Sequence, residues 1–149
     1  VSAYKKIVVG TDGSDTSMRA VDRAGALAGD SGAELIIVCA YEPNKRKDVE
    51  AASDELKDEA YLVVGSSPAE SVLRDAASRA RSGGAANVET LAVQGEPVDV
   101  LDQAVADSRA DLLVVGNVGL NTLTGRILGS VPQSVARRSG VDVLIVHTV

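Results

Sequence analysis

The chain has 149 residues, 45% hydrophobic and 24% charged, a balance that fits one globular domain and excludes wholesale disorder. A net charge of −6, no Trp or Phe and only three Tyr argue against a nucleic-acid or anionic-membrane surface and against a base-stacking platform. The single cysteine, Cys39, excludes an intrachain disulfide and a cysteine-cluster metal site and suits a reducing, cytoplasmic setting, while no apolar run approaches the roughly 20 residues of a membrane span and no signal-peptide pattern opens the chain.

Ile7-Val8-Val9 runs straight into Gly10-Thr11-Asp12-Gly13-Ser14. A β-branched run without alternation predicts a strand buried on both faces. Ser14 is placed to cap a helix whose Met18, Val21, Ala24 and Ala28 recur every three or four residues. Glu34 to Tyr41 predicts a second strand. The stretch from Glu42 to Ser66 is dense in charge and reads as a solvated excursion, partly helical or mobile. Ser67-Pro68-Ala69-Glu70 predicts a capping box with proline at the first helical position. Val72, Leu73, Ala76, Ala77 and Ala80 form that helix's apolar face, and Gly83-Gly84 ends it. A third strand covers Val88 to Val93, and Pro97 opens a helix with Val98, Leu101, Ala104 and Val105 inward. Leu112-Leu113-Val114-Val115 is a second doubly buried run, followed by Gly116-Asn117-Val118-Gly119. Ser130-Val131-Pro132-Gln133 predicts another capping box, for a helix ending near Gly140, and Asp142 to His147 gives a last strand.

Strands alternating with helices predict a single α/β domain spanning residues 1–149, a Rossmann-like, doubly wound, open parallel sheet of five strands with helices on both faces. In the order 3-2-1-4-5, the turns after strands 1 and 4 share one crevice at the carboxyl ends of the strands, where such sheets hold ligands. Gly116, Gly119 and Gly129 let backbone approach a phosphate without a Cβ in the way. The helix start at Gly129-Ser130 offers free N–H groups to an anion. Ser130 can cap that helix and donate its hydroxyl, and Asp12 can accept from ribose hydroxyls. Each glycine alone is as well explained as a turn former; their convergence on one crevice points to a ligand.

Other chemistry fits less well. Gly125-Arg126-Ile127-Leu128-Gly129-Ser130 has too few residues between its glycines, and no lysine after them, for a P-loop. Gly10-x-x-Gly13 falls short of a dinucleotide fingerprint. A receiver domain lacks its phospho-acceptor after strand 3, where Gln94-Gly95-Glu96 stand, and its lysine after strand 5. His147 has no evident nucleophile to activate, Cys39 reads as a buried inert thiol, and Arg137-Arg138 suit a helix C-terminus. No catalytic residue and no resident metal are assigned, and magnesium is expected only with bound ATP. The last strand, at a sheet edge, exposes Val143 to Val146 as a template for a twofold homodimer through 142–147.

The spacing Gly116-x-x-Gly119, nine residues, then Gly129-Ser130 resembles the nucleotide-binding signature of the universal stress protein family. The opening Lys6 to Ser14 and the ending Val141 to Val146 are similar to that family's first and last strands. The resemblance implies an adenine nucleotide in the crevice. It places Gly10, Thr11 and Asp12 beside base and ribose, Ala40 with main-chain contacts to adenine, and Val115, Gly116, Gly119, Gly129, Ser130 and Val131 along ribose and phosphates. It also implies the homodimer. Members with this signature usually bind ATP, often without turnover; some small actinobacterial ones, which this chain most resembles, bind cyclic AMP. Many ATP-binding members have Ser or Thr where Pro132 stands, and Arg126 is the cation nearest the signature. A proline offers neither N–H nor hydroxyl, which favours one phosphate over three. The expected function is sensing or buffering of cyclic AMP or ATP; the alternative is a slow ATPase or autokinase in the same crevice.

Overall fold

The computed structural model describes residues 3–42, 66–117 and 129–148. The charged excursion expected between Glu42 and Ser66, and Gly119 and Arg126 of the signature segment, lie outside the described residues. The elements are β1 (Lys6–Gly10), α1 (Asp15–Ser31), β2 (Glu34–Tyr41), α2 (Ser66–Ser82), β3 (Asn87–Gln94), α3 (Pro97–Ser108), β4 (Leu112–Gly116), α4 (Ser130–Arg138) and β5 (Asp142–Val146). All pairings are parallel and the order is β3-β2-β1-β4-β5, as the alternation predicts.

Successive residues of a strand point to opposite faces, so a strand covered on both sides must be apolar throughout. Ile7, Val9, Leu35, Ile37, Leu112 and Val114 pack with α1 and α2, whereas Val8, Ile36, Val38, Leu113 and Val115 pack with α3 and α4. The helices bring the faces the periodicity selects: Met18, Val21, Ala24 and Ala28 of α1 are buried, as are Leu73, Ala76, Ala77 and Ala80 of α2, with Val72 half-buried beside them. α1 and α2 meet backbone to backbone. A Cβ on Gly25 would lie 2.8 Å from Ala80 Cα, and one on Gly29 would lie 2.7 Å from the Gly84 carbonyl oxygen.

Helix starts are less legible. Ser14 caps α1 by accepting from the Ser17 amide, as expected. α2 begins at Ser66, so Ser67 and Pro68 fall inside its first turn, where a missing N–H costs little, and Ser67 is not the cap. α4 has Gly129 as its cap residue and no side-chain capping bond, so the box expected at Ser130–Gln133 does not form. That helix ends at Arg138, short of Gly140, and β5 ends at Val146, leaving His147 exposed beyond it. Among the described residues no helix is long and apolar enough to cross a membrane.

Candidate functional site

The site is a gap left where β1 stops short of the strands on either side of it. β1 stops at Gly10, in register with Val38, while β2 continues to Tyr41 and β4 reaches Gly116, two residues past the partner of Val9. The Thr11 amide donates to the Val38 carbonyl at 3.0 Å, which shows that Val38 turns its main-chain groups toward β1. Two residues on, Ala40 projects its N–H and C=O the same way, beyond the end of β1. Tyr41 faces the other side, its carbonyl accepting from the Gly95 amide at 2.9 Å. By the same alternation Gly116 turns toward β1, because the Asn117 amide donates to Val146 on the β5 side. One donor and one acceptor at Ala40, and the main chain of Gly116, therefore border the same space.

That space is an open cleft of about 620 Å³, part of it continuous with solvent. The β1–α1 turn lines it with Gly10, Thr11, Asp12 and Ser17; β2 with Val38 and Ala40; β4 with Val115 and Gly116. Pro97 and Leu101 of α3 and Val131 and Pro132 of α4 form the remaining wall. Leu101 lies so close over Gly10 that a Cβ there would sit 2.9 Å from its Cδ2.

The turn after β1 is held by its own side chains. Thr11, 7% exposed, shares a hydrogen bond with Ser17 at 2.7 Å (Oγ1 to Oγ) and accepts from the Gly13 amide at 3.1 Å. Gly13 has φ +85°, a conformation that suits glycine. Asp12 Oδ1 accepts from both the amide and the hydroxyl of Ser14. Its second oxygen stays uncommitted among the described residues.

The start of α4 is tied back to β4. The Gly129 amide donates to the Asn117 carbonyl at 2.8 Å, and Gln133 donates to the Gly129 carbonyl at 3.2 Å. Pro132 has no N–H, so among the described residues the uncommitted amides of the first turn are those of Ser130 and Val131. The partial positive charge of the helix end lies there as well.

The structure thus brings Gly10, Thr11, Asp12, Ala40, Val115, Gly116 and Val131 to one cleft. Gly129 and Ser130 stand at the adjoining helix start without lining it. Ser17, Val38, Pro97, Leu101 and Pro132 also line it; the sequence marks Leu101 only as a core position and Pro97 as a helix start. Among the described residues that line it, none is Lys or Arg. Among the described residues no group of three or more His, Cys, Asp or Glu is placed to hold a metal ion. Cys39 is 5% exposed and packs on the α1–α2 side, away from the cleft. Burial pushes its thiol pKa up, and the nearby Asp12 carboxylate adds to the rise. Arg137 and Arg138 are exposed, and Arg138 pairs with Asp99 and Asp102, both at 3.1 Å.

Residues 3–147 match the model of the universal stress protein family. Universal stress protein Rv1636 of Mycobacterium tuberculosis (strain ATCC 25618 / H37Rv) is 58% identical over 148 residues, covering 99% of each chain. A putative universal stress protein of Staphylococcus aureus (strain USA300) is 32% identical over 146 residues, covering 97% of this chain and 85% of the relative. A universal stress protein crystallised in complex with cAMP has the same fold with a TM-score of 0.77 and 51% identity, covering 99% of this chain and 100% of that one. The sheet order, the glycine spacing and a family match running almost end to end agree, and the chain belongs to the universal stress protein family.

Proposed function

We propose that this protein binds an adenine nucleotide with a single phosphate, cyclic AMP above all, in the cleft over the end of β1, and senses or buffers it without a committed chemical step. The observation that carries this reading is the set of main-chain groups that the described residues bring to the cleft. Ala40 supplies one N–H and one C=O, the complement of the acceptor and amino group on adenine's edge. Val38, Leu101 and Val131 offer apolar surface to the base faces. The free oxygen of Asp12 takes a ribose hydroxyl. Among the described residues, the amides of Ser130 and Val131, with the Ser130 hydroxyl, are the donors at the start of α4 for one phosphate, since the Gly129 amide is committed and Pro132 has none. The relative crystallised with cAMP supports the same ligand class. Magnesium enters only with ATP, held by its phosphates.

Two copies pair through β5. That strand lies at the edge of the sheet and turns Asp142, Leu144 and Val146 toward β4, so Val143 and Ile145 aim their main-chain groups outward. A twofold antiparallel pairing satisfies both copies at once.

Competitive titration of labelled cyclic AMP with ATP, with and without magnesium, tests the ligand. Cyclic AMP binding more tightly than ATP, with no release of inorganic phosphate, is expected. ATP binding clearly tighter, or phosphate release that Asp12→Ala abolishes, would overturn the reading in favour of a slow ATPase or autokinase.

A further inference from the structure

Asn117 is fully buried, a rare setting for an amide side chain, and three of its atoms tie separate parts of the chain together. Its amide donates to the Val146 carbonyl at 2.9 Å, at the end of β5. Its carbonyl accepts from the Gly129 amide at 2.8 Å, at the cap of α4. Its side-chain Oδ1 accepts twice from Thr148, from the amide at 2.9 Å and the hydroxyl at 3.0 Å. Thr148 is 1% exposed, and its own carbonyl accepts from the Arg19 guanidinium on α1. A residue held by four such bonds has little freedom to rotate its peptide planes. The orientation of its carbonyl then decides where Gly129 sits, and so where the amides of Ser130 and Val131 point relative to Gly116.

We infer that Asn117 is a positioning residue for the phosphate of the bound nucleotide: its side chain, locked to Thr148, fixes the main-chain bridge to Gly129 that sets the start of α4 against the end of β4. Asn117 does not touch the ligand, and is not among the residues lining the cleft. The base end of the cleft, built from β2, α3 and the β1–α1 turn, shares none of these bonds. Loss of the Asn117 lock therefore loosens the phosphate end and spares the base end. The inference rests on the nucleotide reading above.

The test compares cyclic AMP with adenosine, which has the same base and ribose but no phosphate. Binding of both is measured by calorimetry on wild type, Asn117→Ala, Thr148→Val and Thr148→Ser, with circular dichroism and thermal unfolding as a check on folding. Asn117→Ala is expected to weaken cyclic AMP by about tenfold or more while changing adenosine by less than about twofold. Thr148→Val, which deletes one of the two donors, is expected to give a smaller loss of the same kind. Thr148→Ser keeps both donors and retains wild-type affinity. If Asn117→Ala fails to fold, the two Thr148 variants decide the matter between themselves. Equal weakening of both ligands, or no weakening of either, overturns the inference while leaving the nucleotide reading intact. Wild-type protein that binds neither ligand overturns the nucleotide reading, and this inference with it.

Discussion

Asn117 Oδ1 accepts two hydrogen bonds from Thr148, at 2.9 Å from its amide and 3.0 Å from its hydroxyl, where neither residue is more than 1% exposed. A buried donor stripped of its acceptor loses its bond and regains no water unless the structure opens. Asn117→Leu, which removes the acceptor and keeps the volume, is expected to cost about 1–3 kcal/mol of stability. Urea unfolding followed by circular dichroism measures it.

The contact between α1 and α2 sets a second expectation. Alanine at position 29 gains about 1 kcal/mol of helix propensity over glycine, while overpacking costs about 1–3 kcal/mol. The neighbour here is the Gly84 carbonyl, 2.7 Å from the new Cβ, and backbone yields less readily than a flexible side chain. The clash is therefore expected to win, and Gly29→Ala to lower stability by up to about 2 kcal/mol. Its cyclic AMP affinity should stay near wild type, because this contact lies on the side of the sheet opposite α3 and α4. Thermal unfolding and a binding isotherm on the same sample check both halves.

Cys39 gives the fold's stability a pH dependence. Burial is the larger cause of its raised thiol pKa and Asp12 the smaller. A thiol with a higher native than unfolded pKa holds its proton better when folded. Its contribution is complete below the unfolded value of about 8.5 and is lost as pH rises through the native one. Wild-type stability is thus expected to fall more steeply above about pH 8.5 than that of Cys39→Ala. Asp12→Asn should lower the thiol pKa part of the way, since burial remains. Urea midpoints across pH and the pH profile of iodoacetamide alkylation read the two effects.

The outward main-chain groups of β5 provide a test of the proposed dimer that leaves the β4 ladder alone. Proline at position 143 removes an N–H that faces away from β4, a placement edge strands tolerate. Val143→Pro is expected to weaken self-association by about tenfold or more with the monomer still folded. Sedimentation velocity over a concentration series measures it; an unchanged dimer would place the interface elsewhere.

The sheet order was legible because Ile7–Val9 and Leu112–Val115 are apolar without alternation, which requires cover on both faces. The switch point followed, and with it the joining of Gly10–Asp12 to Val115–Gly116. What escaped depends on contacts between distant residues. Gly129, not Ser130, caps α4, and its amide is engaged by the Asn117 carbonyl, a bond no local pattern encodes. Asn117 itself occupies a spacer position between two glycines, where a buried anchor leaves no signal. Leu101 reads as one apolar residue on a helix face; only the tertiary fold lays it over Gly10 and makes it a wall of the cleft.

The most direct measurement of the central claim is a map of amide chemical shifts in isotope-labelled protein as cyclic AMP is added. The largest changes are expected at Gly10 to Gly13, Ala40, Gly116, Ser130 and Val131, with Gly32 and Ala85, in the connections that lead into the opposite ends of β2 and β3, unmoved. Changes clustered away from the end of β1, or none at saturating nucleotide, would contradict it.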